Sequence, residues 1–270
     1  MIQVWSETTT DYADSKMPQE ILTRLGSHIS VHPWWHARAR LVKKIIRLHF
    51  GLQLQKILDV GCGWGVTLKH LEAVGHDVWG LDIGHESLKL LDCPGRQLIQ
   101  ADIENGMIPD EMNGNFDCVM ALDVLEHLDY PEEAVRNMIQ LTRRGGLIII
   151  TVPAMMELWS EFDEIQAHRK RYAKHEVLEL LEKMDDLKEI QLGYCWPWLV
   201  SVARWTRKKN IIQNKNVAEM DKWKTYEKYV KPGPWFYRYL LDRAFRLSEN
   251  QTLRGKASYG TTILAVAIRK

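Results

Sequence analysis

Cysteine is scarce and scattered in this chain. Cys62, Cys93, Cys118 and Cys195 form no Cys-x-x-Cys pair. That argues against a zinc site and a disulfide framework, and favours a reducing compartment. No run approaches the roughly 20 apolar residues of a membrane span, and the polar, acidic N-terminus has no apolar core of signal-peptide length. The expected location is therefore cytoplasmic. Neither charge sign is in surplus: 36 Lys and Arg stand against 35 Asp and Glu, a net charge of +1. Charge thus gives no reason to expect a nucleic-acid partner. The glycine-rich turn also lacks the Gly-x-Gly-x-x-Gly spacing of dinucleotide enzymes, which disfavours a nicotinamide-dependent oxidoreductase. What remains is an ordinary globular composition, 46% apolar and 26% charged, over 270 residues. That length holds one large domain, or a core domain with an insertion. Eleven tryptophans are the one unusual feature.

One stretch organises the chain. Ile57 to Val60 is a short apolar run that includes Asp59; Gly61, Gly63 and Gly65 follow at alternate positions, and Val66 to Leu71 has helical spacing. Strand, glycine turn and helix make the first βα unit of a nucleotide-type fold. Bare glycines let a ligand approach the main chain, and the helix start offers unpaired N–H groups. Asp77 to Ile83 reads as a second strand with Asp82 at its end, about 20 residues past the turn, where a carboxylate accepts both hydroxyls of a ribose. A helix N-cap is the competing reading of Asp82. Leu98 to Ile103, Phe116 to Leu122 and Leu147 to Val152 read as further strands. Glu132 to Thr142 reads as a helix stopped at Gly145-Gly146. Leu187 to Cys195 and Tyr259 to Ile268 complete the set. Strands alternating with helices at this pace predict a parallel sheet covered on both faces.

The Gly-x-Gly-x-Gly turn, with Asp59 two residues ahead of it, resembles motif I of class I S-adenosylmethionine-dependent methyltransferases. The resemblance covers roughly residues 32 to 195 and 258 to 270. It implies a doubly wound, Rossmann-like α/β fold with a seven-stranded, mostly parallel sheet whose last strand is antiparallel. It divides the chain into an N-terminal helical lid (1–50), an α/β core (51–195 and 258–270) and a Trp-rich basic helical insertion (196–257). It also implies S-adenosylmethionine as cofactor. Asp59, Gly61, Cys62, Gly63 and Gly65 are then expected near its amino-acid tail and Asp82 on its ribose. Asp102 is expected at the adenine amino group, with Ile83 and Ile103 against the ring; a surface-turn aspartate is the other reading of Asp102. Leu122, His127 and Arg38 complete the expected cofactor contacts. From Pro33 onward the chain reads as an amphipathic helix, with Trp34, Leu41 and Ile45 toward a core and Trp34 and Arg38 one turn apart. The Trp34-Trp35 pair followed by arginines is similar to a pre-core helix of bacterial methyltransferases associated with cell-surface glycans. There such a helix lids the cofactor, and Trp35 is expected to meet the acceptor. A helix simply packed on the sheet is the alternative.

Methyl transfer from a sulfonium requires in-line placement of a lone pair, and a hydroxyl acceptor also needs a base. Two segments offer candidates. Asp123-Val124-Leu125-Glu126-His127 resembles the Glu-x-x-Glu-His segment of ubiquinone-biosynthesis O-methyltransferases, with Asp123 in place of the first Glu. In that family the acids and the histidine have been associated with a metal ion. Asp123, Glu126 and His127 suit a divalent cation in principle, but turn capping or cofactor packing accounts for them as well, and no metal is assigned. The second segment, Trp159 to Tyr172, holds Asp163 and then His168-x-x-Arg171-Tyr172, similar to the acceptor-side segment of the glycan-associated enzymes. His168 is expected to take the proton with Asp163 orienting it, and His127 is a second base. Arg169, Lys170 and Arg171 suit a phosphate or carboxylate, and Tyr172 joins Arg169 and Arg171 as an expected substrate contact. A solvated charged loop is the bland alternative.

From Trp196 to about Ala257 the chain carries five tryptophans and more Lys and Arg than Asp and Glu, densest at Arg207-Lys208-Lys209. Such a segment lies in a membrane interface, caps a greasy pocket or folds as a Trp-cored subdomain. The expected function is O-methylation, from S-adenosylmethionine, of a small-molecule or glycan-like acceptor, lipid-linked or anionic. N- or C-methylation, and a catalytically silent fold used for membrane or partner binding, are the alternatives. Homodimerisation and peripheral membrane contact through 196–257 stay open.

Overall fold

The computed structural model describes residues 2–6, 19–106, 108–207 and 219–270. Eight strands form one sheet: β1 (Ile2–Val4), β2 (Lys56–Val60), β3 (Asp77–Asp82), β4 (Gln97–Gln100), β5 (Phe116–Leu122), β6 (Thr142–Pro153), β7 (Leu187–Cys195) and β8 (Thr262–Arg269). Their spatial order is β1-β4-β3-β2-β5-β6-β8-β7. Only β8 runs antiparallel to its neighbours, between β6 and β7. The expected seven strands are there, and an eighth is added. Ile2, Gln3 and Val4 pair in parallel with Leu98, Ile99 and Gln100 at the sheet edge. Three residues with no fully buried side chain are too short for a period-two pattern to show in sequence.

The sheet is covered on both faces because its strands alternate. Along β5, Val119 and Ala121 join one apolar cluster, together with Ala134, Val135 and Met138 of helix α5 (Pro131–Leu141). Cys118, Met120 and Leu122 point the other way, as a period of two requires. On that face they meet Leu41, Val42 and Ile45 of α2 (Pro33–Phe50) and Leu68 and Leu71 of α3 (Val66–Glu72). Helix α5 ends at Leu141, and Thr142 is already extended. Gly145 and Gly146 therefore lie inside β6 and do not stop the helix.

Helix α4 (His85–Leu91) follows β3, α6 (Glu161–Ile165) and α7 (Lys174–Glu182) lie between β6 and β7, and three helices cross between β7 and β8: α8 (Pro197–Arg207), α9 (Glu219–Val230) and α10 (Trp235–Leu253). Trp196 is fully buried against Trp34 and Phe245, so part of the tryptophan content is core. Trp205 and Trp235 are exposed. Lys208 and Lys209 of the expected basic cluster lie outside the described residues; within the expected N-terminal lid, helix α1 spans Gln19–Ile29. A third apolar cluster joins α1 to α9 through Leu22, Leu25, Trp223 and Tyr226, with Trp64 of the glycine turn packed against it. Among the described residues no helix is long and apolar enough to cross a membrane.

Candidate active site

The glycine turn is built around backbone that side chains would obstruct. Gly61 has φ +67°, and a Cβ there would stand 2.5 Å from Val124 Cγ2. Gly63, at φ +50°, faces open space: a Cβ would meet nothing within 4 Å. Asp82, at the end of β3, fastens the turn. One carboxylate oxygen accepts from the Gly63 N–H and the other from the Gly84 N–H, each at 2.8 Å. Burial raises its pKa, and those backbone donors work against the rise. Each oxygen keeps a second lone pair for a ligand hydroxyl.

A cavity of about 870 Å³ opens beside this turn. Gly61, Cys62, Gly63, Gly65, Asp82, Ile83, Asp102, Ile103, Leu122, Arg38 and His127 all line it, as do Trp35, His168 and Arg171. The bare Gly63 wall, the strand-end acid and the Ile83 and Ile103 side chains fit an amino-acid tail, a ribose and an adenine ring respectively. Asp102 also acts as a turn aspartate, because its oxygens accept from the Glu104 and Asn105 backbone N–H groups and the Asn105 side chain. Asp59 does not line the cavity. It is buried within β2, where burial pushes its pKa up to about 7 against the opposing effect of Arg38.

Arg38 reaches from α2 to the end of β5. It donates to the Leu122 carbonyl at 3.0 Å, pairs with Asp123 and lies over the Trp34 ring at 4.9 Å. Asp123 (φ +57°) also accepts from Thr151. The expected Asp123, Glu126 and His127 set is therefore not assembled: Asp123 is committed to Arg38. Glu126, His127 and His168 meet instead, with one ligand-type atom from each lying within 4.8 Å of the others. Glu126 and His127 sit on a 3₁₀ turn, Leu125–His127, and the His127 and His168 rings meet edge to face at 4.8 Å. Glu126 is fully buried, and neither of its carboxylate oxygens has a hydrogen-bond partner; Oε1 lies 4.0 Å from His168 Nε2. Burial pushes its pKa well up, while burial and the neighbouring His168 push His127 down to about 3.

His168 is oriented as the spacing suggests. Its Nδ1 stands 3.0 Å from Asp163 Oδ1, which places the proton on Nδ1 and leaves the Nε2 lone pair free in the neutral ring. Asp163 is fully buried and is held by Arg171 at 2.7 Å and by the Ser160 N–H at 2.9 Å. Arg171 is thereby occupied, and it also donates to the Ala154 carbonyl; the corrected reading is a brace for Asp163, not a free anion grip. Arg169 does not line the cavity either. It donates to the His127 carbonyl and pairs with Asp129, which fixes the 3₁₀ turn. Tyr172 is buried, and its hydroxyl donates to the Leu125 carbonyl, so it belongs to the core. Lys170 pairs with Glu176. Sequence reasoning missed the aromatic far wall, formed by Tyr226, Tyr229, Tyr237 and Phe245, with Arg238 among them. The recurrence of Trp223, Tyr226 and Val230 at helical spacing was the signal that one helix face there is apolar.

The profile of a family described as a methyltransferase domain matches residues 34–191, more than half of the chain. A ubiquinone biosynthesis O-methyltransferase of Methylococcus capsulatus is 29% identical over 143 residues, covering 48% of this chain and 60% of that one. The enzyme of the same description from Nitrosococcus oceani is 30% identical over 133 residues, covering 44% and 56%. The chain thus spans less than two thirds of the curated relatives it matches. Among solved structures, phosphoethanolamine N-methyltransferase 2 of Haemonchus contortus superposes with a TM-score of 0.52 at 15% identity, over 84% of this chain and 51% of that one. The YcgJ protein of Bacillus subtilis gives 0.53 at 13% identity, over 86% and 98%. At those identities the likeness shows the fold. With the glycine turn, the strand-end acid and the sheet order already established, the chain belongs to the methyltransferase-domain family and carries the class I fold of its S-adenosylmethionine-dependent members.

Proposed function

We propose that the protein transfers the methyl group of S-adenosylmethionine to an oxygen of a small-molecule or glycan-like acceptor. One observation carries this reading: a single cavity joins the glycine turn and Asp82 to His168, whose Nδ1 is paired with Asp163. When bound, S-adenosylmethionine supplies an activated methyl, so the protein has to align the acceptor, exclude water and take one proton. Gly63 takes the amino-acid tail and Asp82 the ribose. His168 Nε2 takes the acceptor's hydroxyl proton while Asp163, neutralised by Arg171, keeps the ring in the required tautomer. The O-methyltransferase description of the relatives supports oxygen as the acceptor atom.

Calorimetry with adenosylhomocysteine tests the cofactor end. Wild-type protein binds it, and Asp82→Ala weakens binding by about 1.5–3 kcal/mol, the range for a hydrogen bond to a charged group. An unchanged affinity removes Asp82 from the site, and no binding to the wild type removes the reading. The unpartnered oxygens of Glu126 favour a second reading, in which Glu126, His127 and His168 hold a divalent cation that polarises the acceptor oxygen. Turnover that survives dialysis against a chelator rules it out.

A further inference from the structure

Helix α10 (Trp235–Leu253) is built inside out. A surface helix of a globular domain turns its apolar stripe inward and its polar residues outward. The inward face of α10 carries Phe245, but also Ser248, Glu249 and Thr252, all buried. Its outward face carries Phe236, Leu240, Arg243 and Leu247, at steps of four, three and four, with Trp235 and Tyr239 one turn apart beside them. Trp235 and Leu247 are 73% and 79% exposed, and Phe236, Tyr239 and Leu240 are each more than half exposed. Single apolar side chains in water need no explanation, but five large ones on one helix face mark an interaction surface. Tyr237, next to Phe236, is exposed and also lines the main cavity, as does Val202 of α8. The patch therefore begins at the cavity mouth.

The charge on this stretch has one sign. Every exposed charged residue from 231 to 256 is basic: Lys231, Arg243, Arg246, Arg254 and Lys256. The two acids of the stretch are held on Arg40 of α2. Glu249 is buried and accepts from Arg40 Nε at 3.0 Å, and half-buried Asp242 pairs with Arg40 Nη1 and Arg246 Nε at 2.7 Å each. This charge pattern selects the occupant. A two-fold contact with a second copy would set basic faces against each other with no exposed acid on α10 to answer them. Anionic lipid headgroups answer them all, each basic residue near such a surface adding to the attraction. The apolar residues suit the same partner: Trp and Tyr have an apolar body and a polar tip, and arginine stems lie along hydrocarbon while their heads stay with phosphates. Because the opposite face of α10 packs on the protein, the helix lies along the bilayer surface and does not cross it.

We propose that the outward face of α10 is a docking surface for an anionic lipid bilayer, on which Trp235, Phe236, Leu240 and Leu247 enter the interface and Arg243 and Arg246 meet the headgroups. None of these residues lies in the segment shared with the methyltransferase-domain profile, and the surface does not depend on the methyltransferase reading.

The test is flotation of the full chain with vesicles of phosphatidylglycerol in phosphatidylcholine, against vesicles of phosphatidylcholine alone. Wild-type protein is expected to float with the anionic vesicles, and to float less in about 1 M salt, where charges are screened within about 3 Å. The double variant Leu240→Glu, Leu247→Glu should lose binding about tenfold or more, since it places charge on two apolar contacts. Arg243→Gln should lose about fivefold, the effect of one basic residue near an anionic surface. Both variants change exposed side chains and should keep the wild-type melting temperature and adenosylhomocysteine affinity, which separates a lost surface from a lost fold. The proposal is overturned if wild type does not float, if it floats equally on phosphatidylcholine alone, or if the double variant floats undiminished. It is also overturned if light scattering finds wild type dimeric and the double variant monomeric, which assigns the face to a second copy. Adenosylhomocysteine binding is read separately: its absence in wild type sinks the methyltransferase reading and leaves the flotation result standing.

Discussion

The division of labour at the far end of the cavity is decided by single atoms. His168 has Nδ1 committed to the buried Asp163 carboxylate and Nε2 facing the cavity at 4.0 Å from Glu126, so its two nitrogens have separable roles. His168→Ala should lower turnover by about 100-fold or more, the usual range for a lost general base, and leave adenosylhomocysteine affinity intact. Asp163→Asn should lower turnover through the wrong tautomer, with adenosylhomocysteine affinity unchanged in calorimetry. If both variants change cofactor affinity as much as turnover, the pair belongs to the cofactor pocket. Such roles were legible in the sequence only where chemistry and spacing coincide. Asp82 and the Asp163/His168 spacing could be read because a strand end and a five-residue step fix them. Asp59 could not be separated from the turn it precedes, since which side a strand residue faces depends on sheet register. Arg169, Arg171 and Tyr172 looked free because their partners, Asp129, Asp163 and the Leu125 carbonyl, are chosen by the tertiary fold.

At the scale of elements, α1 is tied to the glycine turn by Trp64. The indole N–H donates to the Leu22 carbonyl at 3.2 Å, and a Cβ on Gly26 would stand 2.8 Å from the same ring. Helix and turn therefore approach closely enough that α1 reports on the turn. Trp64→Ala should speed amide hydrogen exchange across Gln19–Ile29 and weaken adenosylhomocysteine binding, with little change in exchange across β5 and β6. Unaltered exchange in α1 would mean that α9, through Leu22, Leu25, Trp223 and Tyr226, holds it alone. Helix α2 was visible in sequence through apolar spacing and the proline at its start. That the insertion would cap a pocket was one of its readings, but which face of α10 does so was not legible, because α10 exposes Trp235, Phe236, Tyr239 and Leu240 and shows no clean apolar stripe. Strand β1 escaped for the opposite reason: pairing with β4, not its own pattern, makes it a strand.

For the whole molecule, a parallel sheet covered on both faces followed from the pace of strands and helices, but net charge concealed how ionisable groups are buried. Two of them set opposing slopes of stability with pH. His32 is pushed down to about 4, mainly by burial with His36 adding to the effect. Between that value and 6.5 the unfolded chain binds the extra proton, so stability rises with pH and is lost as pH falls through this window. Asp59 is pushed up to about 7. Between 3.8 and 7 the folded state holds the extra proton, so stability present at low pH is lost as pH rises toward 7. Each unmatched proton is worth about 1.4 kcal/mol per pH unit, and across pH 4 to 6.5 the two slopes cancel. Variants separate them. His32→Asn keeps a side-chain acceptor at the α2 N-cap, where His32 Nδ1 now accepts from the Trp34 N–H at 3.2 Å, and should gain on wild type in thermal melts at pH 5 but not at pH 7.5. Asp59→Asn should do the reverse, gaining at pH 7.5 and not at pH 4. Parallel melting curves for all three proteins from pH 4 to 8 would show that neither group is titrated by folding, and that the buried charge of β2 is balanced by Arg38 more completely than its position implies.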